Sequence, residues 1–308
     1  MDKECSMSEP AIKPHWQDYA SAIVSGFFGD WLEARNNPLA VPMHFRHRGE
    51  ALDFGALAPE AAKPNLIVLI HGLTELESMW HYPDQPGFDY ATDLAADLDA
   101  TPLSLRYNTG LPIYRNGETL ADALEALVEQ WPEAVENLVL IGHSMGGLLI
   151  RSACFHGRHQ GHQWTHRVSS CIYIGAPHDG SWLARGAHAL ADTMNRMPRD
   201  YLKAVGEFID LRSEGIRNLS RGEVVAPDVE EPPLLPGAAH YVISGLLSER
   251  KDHPVNTLFG DALVHESSAR GQERSGWALA GVANFPGINH VQLAHEPRVA
   301  VQLKEWLT

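Results

Sequence analysis

The segment Gly142-His143-Ser144-Met145-Gly146-Gly147 is where chemistry is most legible in this chain. It follows the apolar run Leu138-Val-Leu-Ile141 and opens the apolar stretch Leu148-Leu-Ile150, so it reads as a strand, a tight turn and a helix. Such a turn forces the serine into strained backbone geometry and demands small neighbours, which Gly142 and Gly146 supply. The strain presents the hydroxyl at a helix N-terminus, where free N–H groups and the helix dipole favour developing negative charge. The chemistry implied is nucleophilic attack by Ser144 on an electrophilic carbon. A glycine-rich junction with an incidental serine would share the bare pattern but not its apolar flanks. A phosphate loop is disfavoured, because no Gly-Lys-Ser/Thr follows.

The elements around this turn alternate. Strands are expected at 66–70, 103–107, 138–141, 168–174, 240–246 and 277–283. Helices are expected at 16–36, 90–98, 117–130 (with Asn116 as cap), 145–155 and 299–307. Strands separated by helices imply a mostly parallel sheet with helices on both faces, an α/β architecture. Residues 179–239 break the alternation. They hold helical segments and a Glu-Pro-Pro run at 231–233 but no strong strand, and they read as a helical cap insertion over the sheet's carboxyl edge, where open α/β sheets bind ligands. The expected organisation is an N-terminal segment, 1–40, and a main domain, 41–308. In the first helix Tyr19, Ile23, Phe27 and Trp31 form an apolar stripe. Its other face carries Asp18, Asp30 and Glu33, so a helix packed on the core is expected rather than one lying on an anionic membrane.

The ordered motifs Val68-Leu-Ile-His71-Gly72-Leu73, Gly142-His-Ser-Met-Gly-Gly147 and Ile174-Gly-Ala-Pro177-His178-Asp-Gly-Ser181 resemble those of lipase-type α/β-hydrolases. The nearest likeness is to bacterial proteins similar to the GPI inositol-deacylase branch of lipases, over roughly 64–300. Ala176 stands where family members usually have Thr. The resemblance implies the α/β-hydrolase fold and an oxyanion hole made by the backbone N–H groups of Met145 and Leu73, with His71 orienting the loop. In this fold the acid and then the histidine follow the serine. Of seventeen histidines, His290 lies on the loop between the last strand and last helix, where the base belongs. His295 and His265 are the alternatives. Asp261, in Phe259-Gly-Asp-Ala-Leu-Val264, resembles the family's Gly-Asp-Gly-x-Val segment and is the expected acid, with Asp252 and Glu266 as rivals. Ala262 replaces the second glycine, so that turn must accept a Cβ.

The function expected from Ser144, Asp261 and His290 is hydrolysis of a carboxylic ester through an acyl-enzyme. A thioesterase, amidase or acyltransferase could use the same triad, and a non-catalytic relative could use the fold for binding. Trp182, Leu183, Leu190 and Met194 could line an acyl pocket or fill the cap's own core. The substrate would be a small-molecule or lipid ester.

Composition narrows the rest. A formal charge of −15 over 308 residues argues against nucleic acid or an anionic membrane as partner. No apolar run is long enough to span a bilayer, and the polar N-terminus lacks a signal-peptide pattern, so a cytoplasmic location is expected. Cys5, Cys154 and Cys171 do not form a disulfide framework, although a Cys154–Cys171 pair stays open. His156, His159, His162 and His166 crowd one polar loop without Cys or carboxylate between them. That loop reads as solvated rather than as a metal site, and no cofactor is expected.

Overall fold

The run Asn65–Ile70 shows how this sequence becomes a sheet. It forms strand β3, with Leu66, Val68 and Ile70 in one apolar cluster and Ile67 and Leu69 in another. Alternate side chains leave a strand on opposite faces, so a continuous apolar run needs cover on both. A computed structural model describes residues 16–37, 40–54, 62–85, 88–178, 214–230, 232–246 and 277–308. Around β3 lie α1 (Trp16–Glu33), β1 (His44–His47), β2 (Glu50–Ala51), α2 (Tyr90–Ala95), β4 (Ala100–Arg106) and α3 (Ile113–Gln130). They are followed by β5 (Asn137–His143), α4 (Met145–Gln160), β6 (Val168–Ile174), α5 (Glu214–Arg221), β7 (Ala239–Leu246), β8 (Gly281–Pro286) and α6 (Pro297–Leu307).

The eight strands form one sheet in the order β2-β1-β4-β3-β5-β6-β7-β8. β4, β3, β5, β6, β7 and β8 run parallel, and β1 and β2 are antiparallel at one edge. One face is covered by Leu120, Leu124 and Leu127 of α3 with Leu149, Ile150 and Ala153 of α4. The other is covered by Tyr90 and Leu94 of α2 and Val299 and Leu303 of α6. The expected α/β sheet with helices on both faces is therefore present. The registers Ile70↔Gly142 and His143↔Ile174 align the carboxyl ends of β3, β5 and β6, so the loops that follow them gather at one edge.

Several boundaries differ from expectation for physical reasons. The β1–β2 hairpin was not anticipated; its strands carry one buried apolar residue, Phe45, and its two-residue turn is Arg48-Gly49, both at positive φ. Helix α3 starts at Ile113 after Pro112, and Asn116 is no cap: it lies within the helix, and its Nδ2 donates to the Asn108 carbonyl at 2.8 Å. Helix α4 runs beyond 155 to Gln160, where Gly161 ends it in the left-handed conformation. The last strand begins at Gly281 rather than Trp277. Trp277 packs instead against Arg151, whose guanidinium carbon lies 4.4 Å from the ring centre, and against His178. Cys154 and Cys171 are buried free thiols, and their mutual hydrogen bond, with burial, pushes the Cys171 thiol up. Among the described residues, no helix is long and apolar enough to cross a membrane.

Helix α1 docks mainly by a different face from the expected aromatic stripe, of which Phe27 packs against the cluster of Leu73 and Met145. Trp31 is 48% exposed, with Arg35 stacked over its ring, whereas Ala22, Ser25, Gly26, Gly29 and Leu32 are buried. The small residues are needed because α1 lies directly on the loops that follow β3 and β4. A Cβ on Gly26 would fall 2.4 Å from Thr74 Cγ2, and one on Gly29 would fall 1.8 Å from Asn108 Oδ1. Asn108 clamps the helix, accepting from Ser25 Oγ at 2.8 Å and donating to the Gly29 carbonyl at 3.1 Å. In an open helix Gly→Ala stabilises by about 1 kcal/mol. Here Gly29→Ala is expected to destabilise by about 1–3 kcal/mol through overpacking, read as a lower denaturation midpoint. An unchanged or raised midpoint would show that α1 does not dock this closely.

Candidate active site

Ser144 occupies the turn between β5 and α4 with φ 53° and ψ −121°, a conformation that L-residues rarely adopt. The turn is held from several sides. The Ser144 N–H donates to the Ile174 carbonyl at 2.8 Å, and the Gly147 N–H donates to the Ser144 carbonyl at 3.0 Å. Neither flanking glycine could carry a side chain. A Cβ on Gly142 would lie 2.5 Å from the Gly146 backbone, and one on Gly146 would lie 2.2 Å from the Ile70 carbonyl oxygen. Crossing β3 so closely, the start of α4 leaves Ser144 at its N-cap, 4% exposed. The first N–H groups of a helix have no intrahelical acceptor, so that of Met145 can serve a ligand anion.

The loop after β3 approaches the same point. A Cβ on Gly72 would lie 3.0 Å from Ser144 Cβ, so Gly72 passes directly beside Ser144. Leu73 and Met145 share one apolar cluster with Leu148 and, from α5, Ile216 and Leu219. His71 is buried and stacked on Tyr107, whose hydroxyl donates to the His71 carbonyl at 2.8 Å. Its Nδ1 donates to the Gly72 carbonyl at 2.9 Å while Nε2 is buried without a hydrogen-bond partner. Burial holds this ring below the usual histidine range although the Gly72 carbonyl and nearby Glu75 and Glu77 oppose that shift. The loop is braced further along by Glu77, which receives Arg106 Nε at 3.0 Å while Arg106 also reaches Asp18 of α1 at 3.2 Å.

His290 stands in the loop between β8 and α6. Its ring centre is 4.7 Å from that of His143, and its carbonyl accepts from His143 Nε2 at 2.9 Å. The fold thus brings the Ser144 turn, Leu73, Met145 and His290 to one end of the sheet. The alternative His295 has its Nδ1 at 3.1 Å from the Met79 carbonyl. Asp261, Asp252, His265, Glu266, Trp182, Leu183, Leu190 and Met194 lie outside the described residues. The expected polar loop of histidines is largely helical: His156 and His159 lie on α4, and beyond its end His162 Nδ1 donates to the Ala121 carbonyl at 3.2 Å.

A residue not anticipated from sequence also enters the site. Glu75 Oε2 accepts from the Gly72 N–H at 2.8 Å and faces His143 Nδ1 at 3.2 Å. Burial pushes its carboxyl up, but His143, then His290 and His71, outweigh that and hold it below the usual carboxylate range. Nothing local marks it among 39 acidic residues; Gly72 is a near neighbour, but His143 lies 68 positions away.

Comparison with solved structures shows the fold. The lipase BlEst2 of Bacillus licheniformis in its mature form superposes with a TM-score of 0.51 at 19% identity, covering 82% of this chain and 94% of that one. Its propeptide form gives a TM-score of 0.52 at 17% identity, covering 80% of this chain and 50% of that one. The chain has the α/β-hydrolase fold. Residues 105–228 match the family model described as PGAP1-like alpha/beta domain, in keeping with the resemblance read from its motifs. No curated protein matches the chain.

The backbone at Ser144 should cost stability. Positions held in sparsely populated conformations cost about 1–3 kcal/mol, and glycine relieves that cost where alanine does not. Ser144→Gly is therefore expected to be more stable than Ser144→Ala by about 1–2 kcal/mol, measured by chemical denaturation of both. Equal stabilities would mean that the turn is relaxed.

Proposed function

We propose that this α/β hydrolase cleaves carboxylic esters of lipase or esterase type, with Ser144 as nucleophile, His290 as base and Asp261 as the acid that orients it. The observation that carries the reading is the backbone of Ser144: a non-glycine residue at φ 53° between two glycines that no side chain could replace, at the N-terminus of α4. A fold tolerates such strain where the position of the hydroxyl is needed for function. His290, held in one tautomer by Asp261, takes the Ser144 proton as the oxygen attacks the ester carbonyl. The Leu73 and Met145 N–H groups receive the oxyanion. His290 then passes the proton to the leaving alkoxide, and water, activated by the same imidazole, hydrolyses the acyl-enzyme. The substrate is a small-molecule or lipid ester.

The test is turnover of p-nitrophenyl esters from acetate to palmitate by wild type and Ser144→Ala, together with fluorophosphonate labelling. Wild type should be labelled and active, and the variant should fall by at least about 10⁴-fold. The chain-length optimum then measures the acyl pocket. With a neutral imidazole as base, activity should fall as pH drops below about 6 to 7; a flat profile there would exclude histidine. Turnover of thioesters or amides alone would move the reaction to those substrates. Unlabelled, inactive wild type would leave a binding role.

A further inference from the structure

The environment of His143, the residue before the nucleophile, has an unusual demand built into it. Its ring is fully buried, and each nitrogen faces an acceptor: Nε2 the His290 carbonyl at 2.9 Å, Nδ1 the Glu75 carboxylate at 3.2 Å. A carbonyl can only accept, so Nε2 carries a hydrogen, and a proton must also lie between Nδ1 and Oε2 for that side to hold. The partner carboxylate is itself fixed, because the same Oε2 accepts from the Gly72 N–H beside Ser144. Trp80 closes the ring's edge, its own ring centre 6.1 Å away. Three loops, those after β3, β5 and β8, are therefore joined through one imidazole.

We propose that Glu75 and His143 form a buried strut that positions His290, Glu75 anchoring the ring of His143 and that ring holding the His290 backbone at reacting distance from Ser144. The proposal rests on the esterase reading for its kinetic consequence and on the contacts alone for its structural one. Neither residue touches the reacting atoms, so both are positioning residues. The strut ties the base to the turn that carries the nucleophile, so the two keep their separation when the loops breathe. A misplacement of about 1 Å in such a pair costs on the order of 100-fold in rate. Ionised Glu75, which its neighbours favour, suits the anchor.

A double-mutant cycle decides it. Glu75→Ala removes the anchor, and His143→Asn removes the Nε2 donor to the His290 carbonyl. Rates on the best p-nitrophenyl ester are expressed per active site, titrated with fluorophosphonate. Each variant should lose about 10- to 100-fold in kcat with KM changed by less than about 3-fold. If Glu75 acts through His143, the double variant should lose no more than about the larger single loss. Glu75→Gln, whose amide oxygen can take the place of Oε2 and accept from both the Gly72 N–H and an Nδ1–H, should stay within about 3-fold of wild type. Losses that multiply, or Glu75→Ala at full kcat, would overturn the strut. Amide hydrogen exchange over 287–295 supplies a readout that needs no turnover. Exchange should quicken in Glu75→Ala and His143→Asn but not in Glu75→Gln, and unchanged exchange in both would sink the proposal. Should wild type prove inactive, the esterase reading fails and this exchange pattern still decides the strut; should Glu75→Ala not fold, His143→Asn and Glu75→Gln carry the comparison.

Discussion

Between the end of β5 and the start of α4 there is room for backbone and nothing else. Gly142 and Gly146 pack on each other, and Gly146 rests on the Ile70 carbonyl of β3. This close crossing puts the N-terminus of α4 over the sheet's carboxyl edge rather than beside it, and it forces Ser144 to positive φ. Everything at the site follows from it. The Gly72 backbone can lie beside Ser144 because β3 and β5 are adjacent and in register, with Ile70 opposite Gly142. His290 can reach His143 because β8 runs parallel to β7 at the other side of the same edge.

The loops that meet there are stiffened by different means. Apolar packing holds Leu73 and Met145 under α5. Ion pairs hold Glu77 to Arg106, and Arg106 to Asp18 of α1; with side chains 8% and 14% exposed, the first pair is shielded enough that losing one partner would strand a charge. Hydrogen bonds hold Asn108 to α1. The proposed reaction needs donors and a nucleophile in fixed relation and would benefit from such preorganisation, since no energy is then spent on rearrangement as charge develops.

The sheet was legible because its central strands are buried on both faces and read as unbroken apolar runs, as in Leu66–Ile70 and Leu138–Ile141. The Ser144 turn was legible because its glycines are sterically required, and the loop that carries His290 because chain order places it between the last strand and the last helix. The docking face of α1 was misread: aromatic periodicity suggests burial, whereas contact this close selects glycine, serine and alanine, which carry little hydrophobic signal. The β1–β2 hairpin escaped notice because an edge strand with one buried residue has almost no pattern to show. Glu75 escaped because its meaning depends on His143, which only the closed sheet brings to it. Asp261 lies outside the described residues, and its role stands on motif resemblance.

The clamp on α1 has a consequence for biosynthesis. The helix is made first, but the groups that receive it come much later: Asn108 lies 83 positions beyond Ser25, and the Glu214 N–H that donates to Asp30 at 3.0 Å lies 184 beyond. At about 5–20 residues per second, a ribosome takes on the order of 10 to 40 s to deliver the second of these. Until Asn108 is made, the nascent α1, with Phe27 and Leu32, lacks the clamp it docks against. It is a segment that chaperones would meet early, before its native contacts exist.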